Sequence, residues 1–343
     1  MNLINLRRSI MKIDIFAHIL PPKYKETLDK ESGPHSAAFY NTQKVLPTLF
    51  DLDLRFRIMD KYEDYMQVLT LSMPPVENFG NPRKAVELSK MANDEMAELV
   101  LKHPDRFAAA IACLPMNDID AALEETDRAI KDLKFRGVQI FTPTNDKPLD
   151  LPEFFPLYEK MDQYNLPILL HPQRPQSYAE YPSEEASKYT IHGMLGWPYE
   201  TSVAMVRLVF SGILESYPNL KIITHHAGGM IPFFENRIVG WIDSHDTLLR
   251  RRDAEKLRKP ISDYFKMFYA DTAIYGHTPG LMCAYDFFGA DKLLFGTDMP
   301  WDNQFGLKYT RETIASVEQM DISDAEKKMI FEDNARRLLR LPV

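Results

Sequence analysis

Residues 12–18 read KIDIFAH and residues 293–298 read LLFGTD. Each is a short apolar run that closes on a polar residue, His18 in one and Asp298 in the other. Six further apolar runs lie between them: 66–73 (MQVLTLSM), 106–114 (RFAAAIACL), 137–142 (GVQIFT), 167–171 (PILLH), 220–226 (LKIITHH) and 268–272 (FYADT). Helical stretches such as 83–103, 118–133, 199–215 and 308–319 separate the runs, and Asp118 and Pro152 stand where helices should start. Mostly apolar strands alternating with helices are the pattern of β/α units and of a parallel sheet covered on both faces. Eight such units close a barrel. The expected fold is an α/β, single-domain (β/α)8 TIM barrel over residues 11–343. Residues 1–10 read as an N-terminal extension, with Met11 as an alternative start. The competing architecture, a doubly wound open sheet, usually carries a Gly-rich loop after its first strand. Here that position reads HILPP.

Composition agrees with a single large unit. A chain of 343 residues with 45% hydrophobic and 26% charged residues can bury a sizeable core without staples. The formal charge of −8 gives no reason to expect nucleic acid or an anionic membrane as partner. A basic stretch at Arg250, Arg251, Arg252, Lys256, Arg258 and Lys259 is broken by Asp253 and Glu255, and reads as a solvated helix face or loop. Cys113 and Cys283 read as buried, reduced thiols rather than a disulfide. No apolar run reaches the ~20 residues that span a bilayer, and MNLINLRRSI lacks the features of a signal peptide. A cytoplasmic location is the default expectation. Residues 20–50 and 173–197 read as long loops, which in a barrel would follow strands 1 and 5 and cover the mouth.

The strand ends carry the chemistry. His18 ends strand 1, His171 strand 5, His226 strand 6 and Asp298 strand 8. One buried histidine alone is more often a packing residue. Three imidazoles and a carboxylate at ends that converge on one pocket suit a divalent metal: zinc first, with manganese or iron as alternatives. His225 is expected to point away, because neighbouring strand residues face opposite sides.

Order and spacing of MKIDIFAHILPP, GVQIFTPTNDKPLDLPEFFPLYEKM, PILLHP, GWPYETS, YPNLKIITHHAGGMIPF with ENRI, and FGTDMPW resemble the decarboxylase-type branch of the amidohydrolase superfamily, the branch of aminocarboxymuconate semialdehyde decarboxylases. The resemblance runs from Met11 to nearly the end of the chain. It implies metal ligation by His18, His171 and Asp298, and catalytic roles for His226 and Asp298. It also implies that Arg55 and Arg237 hold substrate carboxylates, Arg237 near a subunit interface, so that a homodimer is expected. Arg57 competes with Arg55. Trp197 and Trp301 are expected to wall the pocket, Asp271 is a candidate supporting carboxylate, and Tyr275, His277 and Gln173 lie on loops that reach towards it.

One position departs from that pattern. The family's first strand presents His-x-His or Glu-x-His, and this chain has Phe16 at the first of those places. Period-2 alternation aims Asp14, Phe16 and His18 to one side, which makes Asp14 a candidate substitute ligand. The expected activity is metal-dependent, non-oxidative decarboxylation of a small anionic aromatic or enoic carboxylic acid. Two other readings stand beside it. The same site suits hydrolysis of a lactone, ester or amide. Alternatively, loss of a ligand would fit a supporting subunit in a hetero-oligomer with an active relative, the metal there serving oxygen chemistry.

Overall fold

The computed structural model describes residues 10–31, 44–249 and 257–342. Residues 1–9, and Arg250, Arg251, Arg252 and Lys256 of the basic stretch, lie outside them.

Eight parallel strands occupy the eight apolar runs. They are β1 (Lys12–Ile19), β2 (Tyr65–Leu71), β3 (Phe107–Ala110, continued by Ala112–Cys113), β4 (Val138–Thr142), β5 (Pro167–Pro172), β6 (Lys221–Thr224), β7 (Tyr269–Asp271) and β8 (Leu293–Leu294). β1 to the first part of β3 form one parallel ladder, and the second part of β3 to β8 form another. Backbone hydrogen bonds join the two into a ring. Ile111 N–H donates to Leu69 and Ala112 N–H to Gly137 where β3 breaks. On the other side Ile15 donates to Phe295, Asp298 to Phe16 and His18 to Met299, each at 3.0–3.1 Å. The barrel therefore closes between the first and last strands.

Two apolar layers follow from the pleat. Leu20, Leu88, Met96, Leu157, Leu208 and Phe265 belong to the larger core that includes the outer helices. A second cluster, with Ile13, Ile15, Phe16, Val68, Ile111, Leu169, Ile223 and Leu294, fills the barrel, and Leu338, Leu339 and Leu341 join it. The last helix (Asn334–Leu339) thus packs one face, with Ala335, Leu338 and Leu339, against the barrel interior. Helix docking is specific as well as apolar. Asn93, on the helix Pro82–Lys102, exchanges hydrogen bonds with both the N–H and the C=O of Cys113 at 3.0 Å.

β1 departs from simple alternation. Its pairing with β2 shifts register between Asp14 and Ala17, a bulge that changes which residues face inward. Ile13, Ile15 and Phe16 all face the inner cluster. Asp14 instead accepts from the Phe16 amide at 3.1 Å, the Tyr65 hydroxyl at 2.6 Å, and the Thr297 amide and hydroxyl at 3.0 and 2.5 Å. The expectation that Asp14 shares a side with His18 is thereby corrected. Its carboxylate ties strands 1, 2 and 8 together and is spoken for.

Other expectations need smaller corrections. Segment 20–50 contains a helix, Pro22–Glu31, and segment 173–197 contains the short helix Ile191–Met194. Cys113 is buried but Cys283 is partly exposed, and both are free thiols. Among the described residues no helix is long and apolar enough to cross a membrane.

Glu77, in the turn Val76–Phe79 after β2, is buried with no side-chain partner for its carboxylate among the described residues. Burial raises its carboxyl from 4.5 to about 8. The native state therefore holds this proton more tightly than the unfolded chain, and the group's contribution to stability falls as pH rises from about 4.5 to about 8. Glu77→Gln should be near neutral at about pH 5 and stabilising by about 2–4 kcal/mol at about pH 9, read from urea unfolding. Equal differences at both pH values would show that Glu77 carries no such penalty.

Candidate metal centre

β1, β5, β6 and β8 deliver the polar cluster at the C-terminal mouth. His18, His171, His225 and Asp298 are all buried, and one donor atom from each lies within 4.8 Å of the others. His18 Nε2 is 3.1 Å, and His225 Nε2 3.4 Å, from Asp298 Oδ1. His226 Nε2 stands 3.9 Å from Asp298 Oδ2.

The second nitrogen of each ring in the cluster is occupied elsewhere. His18 Nδ1 meets the Thr70 hydroxyl at 3.1 Å, His171 Nδ1 meets the Pro172 carbonyl at 2.7 Å, and His225 Nδ1 pairs with Asp271 Oδ2. Asp271 is itself fixed, because its Oδ1 accepts from the amides of Ala227 and Ala273. Imidazoles held at Nδ1 by oxygen partners and turned inward at Nε2 are arranged as metal-ligating histidines are. The donor set fits one divalent cation such as zinc or manganese. The local sign of that fit is the buried Nε2 of His225, which makes no hydrogen bond and faces the Asp298 carboxylate at 3.4 Å.

Strand alternation fails to predict His225 because the strand ends there. His225 is extended, but His226 and Ala227 take left-handed conformations (φ 56 and 53). That turn brings both neighbouring rings to the mouth, their centroids 3.9 Å apart. The expectation that His225 points away is thus corrected. Tyr275 and Asp298 are also left-handed (φ 56 and 60), so the ends of strands 6, 7 and 8 all concentrate uncommon backbone at this site.

Electrostatics follow from burial and pairing. Burial lowers the pKa of His18 and, more strongly, of His171, and lowers His226 to about 3. Burial also opposes charge on His225, but the carboxylates of Asp271 and Asp298 outweigh it and push this ring up to about 10. Burial would raise Asp298, yet His225 and His18 hold it well below the usual carboxylate range.

The remaining predicted residues divide. Arg55 is fully buried and not a surface residue. Its Nε donates to Gln67 at 2.7 Å, and its Nη1 to the carbonyls of His18 at 2.8 Å and Thr48 at 3.3 Å. Its Nη2 is buried without an acceptor. Trp197 brings its ring to 6.1 Å from His171 and 6.4 Å from His226. Trp301 follows Asp298 in a turn, half-buried against the larger core. Arg237 is the exception. It is exposed on the helix Ile231–Leu249, over Trp241 at 5.4 Å, and the chain's own site does not include it. Tyr275 donates to Asp298 Oδ2 at 2.9 Å, and Gln173 is held by the Pro143 carbonyl at 2.6 Å. Asp271 and Thr70 do more than the sequence conveyed. The Asp-Thr pair ending strand 7 was a visible signal for Asp271, whereas a lone threonine on strand 2 was not.

The profile of the family described as Amidohydrolase matches residues 13–341. The chain is 31% identical to the gamma-resorcylate decarboxylase of Rhizobium sp. (strain MTP-10005), the alignment covering 96% of this chain and 98% of that one. It is 26% identical to the 2-amino-3-carboxymuconate-6-semialdehyde decarboxylase of Dictyostelium discoideum, over 96% and 92%. Among solved structures, the dihydroxybenzoic acid decarboxylase of Polaromonas sp. JS666, with bound manganese and the inhibitor 2-nitroresorcinol, superposes with a TM-score of 0.76. That pair is 28% identical over 97% of both chains.

Gly229 fixes the turn that presents the two histidines. Its φ is +62, and an added Cβ would lie 2.5 Å from the Pro198 carbonyl and 2.8 Å from Ser202 Oγ. Gly229→Ala should therefore destabilise the protein by about 2–4 kcal/mol, measured as a lowered midpoint of denaturant unfolding. An unchanged midpoint would mean that this turn tolerates a side chain.

Proposed function

This chain belongs to the amidohydrolase family, and on that premise we propose that it is a metal-dependent, non-oxidative decarboxylase of a small aromatic carboxylic acid. One observation carries the reading. Beside the buried donors His18, His171 and Asp298 lies a buried guanidinium, Arg55, whose Nη2 has no acceptor among the described residues. A cation site next to an unsatisfied cationic donor is built for an anion, and names among the relatives specify carboxylates.

His18, His171 and Asp298 would hold the metal, zinc or manganese. When bound, it would supply Lewis acidity for the negative charge that develops as the carboxyl group leaves. Arg55 orients the substrate carboxylate, its other nitrogens being committed to Gln67 and the carbonyls of His18 and Thr48. Trp197, Phe16 and Phe141 surround His171 at ring distances of 6.1, 6.2 and 5.0 Å, a wall that suits a planar substrate and excludes water. Trp301 extends that wall from the turn after Asp298. Burial keeps His226 neutral, so its Nε2 can accept or pass on a proton beside Asp298 Oδ2. Together they relay a proton drawn from solvent to the ring carbon, which takes it up in place of the departing CO2 as the C–C bond breaks. No oxidant is consumed.

Arg237 serves, in this proposal, from a partner subunit of a cytoplasmic homodimer. Phe233, Trp241 and Leu248 are exposed on the same helix, which gives that face the apolar character of an interface. The supporting-subunit reading loses its motive, since Phe16 does not leave the site short of donors.

The test is CO2 release by zinc- or manganese-loaded protein from a panel of hydroxybenzoic and enoic acids, beside lactone and ester hydrolysis. Hydrolysis without CO2 from any acid would reject decarboxylation in favour of a hydrolase. His226→Ala should lower kcat by about 10²–10⁴-fold. Arg55→Ala and Arg237→Ala should each raise KM at least about tenfold. An unchanged KM for Arg237→Ala, or a monomer in sedimentation analysis, would remove the cross-subunit role.

A further inference from the structure

Phe16 and His225 explain each other. The bulge in β1 turns Phe16 into the barrel, where a residue with a donor atom would reach the cluster. Its ring is fully buried, 6.0 Å from His18 and 6.2 Å from His171, and stacks on His225 at 4.2 Å with a 22° tilt. Phe16 fills this space with an apolar ring, and its face supports the His225 imidazole. Asp271 fixes the opposite edge of that imidazole through Nδ1. Between these two supports Nε2 faces inward, buried and without a hydrogen bond.

We infer that His225 completes the metal site from strand 6 in place of a first-strand ligand, with Phe16 and Asp271 as the residues that position its ring. The inference rests on the metal-centre reading above and extends it to a fourth protein ligand. Two of the separations are close to those of a tetrahedral site, within a group of four donor atoms that lie inside 4.8 Å of one another. Tetrahedral donors bonded at ~2.0–2.1 Å stand ~3.3–3.4 Å apart. His18 Nε2 and His225 Nε2 lie 3.1 and 3.4 Å from Asp298 Oδ1. His226, set beyond the left-handed turn, approaches the other oxygen of Asp298 and stays outside the group of four. The two neighbouring histidines therefore divide the work, His225 as ligand and His226 as the group left free for the substrate.

The experiment is a zinc titration of chelator-stripped full-length protein against a chromophoric chelator. His225→Ala should weaken zinc binding by about 100-fold or more, and Asp271→Asn by about 10–100-fold. His226→Ala should stay within about threefold of wild type. The decisive variant is Phe16→His combined with His225→Ala. Returning a donor to strand 1 should recover at least about tenfold of the lost affinity, which a merely structural role for His225 would not allow. X-ray absorption at the zinc edge of the wild-type holoprotein should count three imidazoles, and it decides the matter even where a variant fails to fold. Two imidazoles, or wild-type affinity in His225→Ala, would overturn the inference and leave the metal-centre reading standing. Wild-type protein that binds no zinc or manganese would overturn both.

Discussion

Asp298 occupies a left-handed backbone position, its N–H held by the Phe16 carbonyl, and its carboxylate faces His18, His225, His226 and Tyr275 at once. The main-chain bond closes the barrel, while the side chain gathers the mouth. Both depend on the same short connection between strands 8 and 1. Thr297, one residue earlier, binds Asp14 through its amide and hydroxyl, so the closure is reinforced just below the site. The seam therefore fixes His18 and Asp298 relative to each other.

The charge balance explains why so many ionisable groups tolerate burial together. Asp298 and Asp271 are both fully enclosed, and the His225 imidazole lies between them, its pKa pushed up to about 10 by the two carboxylates. A cation held as proposed would meet the same two carboxylates, one directly and one through the imidazole. The aromatic rings around the cluster keep water out and strengthen these attractions. Arg55 is handled differently. Its charge is spread over carbonyl and amide oxygens, and burial without a carboxylate partner lowers its pKa to about 10. Such a group retains unused capacity for an anion.

The sequence conveyed the fold well, because strand position and barrel closure depend on apolar runs that are visible one after another. It also pointed to His18, His171 and Asp298, which close three of the apolar runs and which the fold brings into one cluster. It failed where local backbone broke the repeat. A bulge separated Asp14 from Phe16, and a left-handed turn brought His225 inward beside His226. Period-2 reasoning assumes regular pleating, and functional mouths are where pleating stops. Arg237 is a different case. It stands exposed on the helix Ile231–Leu249, over Trp241 and apart from the buried cluster, so its place in the family's motif did not carry over into the site of this chain.

The ring-closing contacts also order events in time. His18 and Asp298 are separated by 280 positions along the chain, yet their side chains are 3.1 Å apart. Contacts of such long sequence separation form late, because loop entropy must be overcome before they are rewarded. During synthesis the early β/α units can stack while the strand that carries Asp298 is still unmade. The nascent chain would then display scattered histidines with only weak individual affinity for passing ions. A metal held as proposed would find its full donor set only once the last strand is in place, so the architecture would postpone capture until the pocket exists.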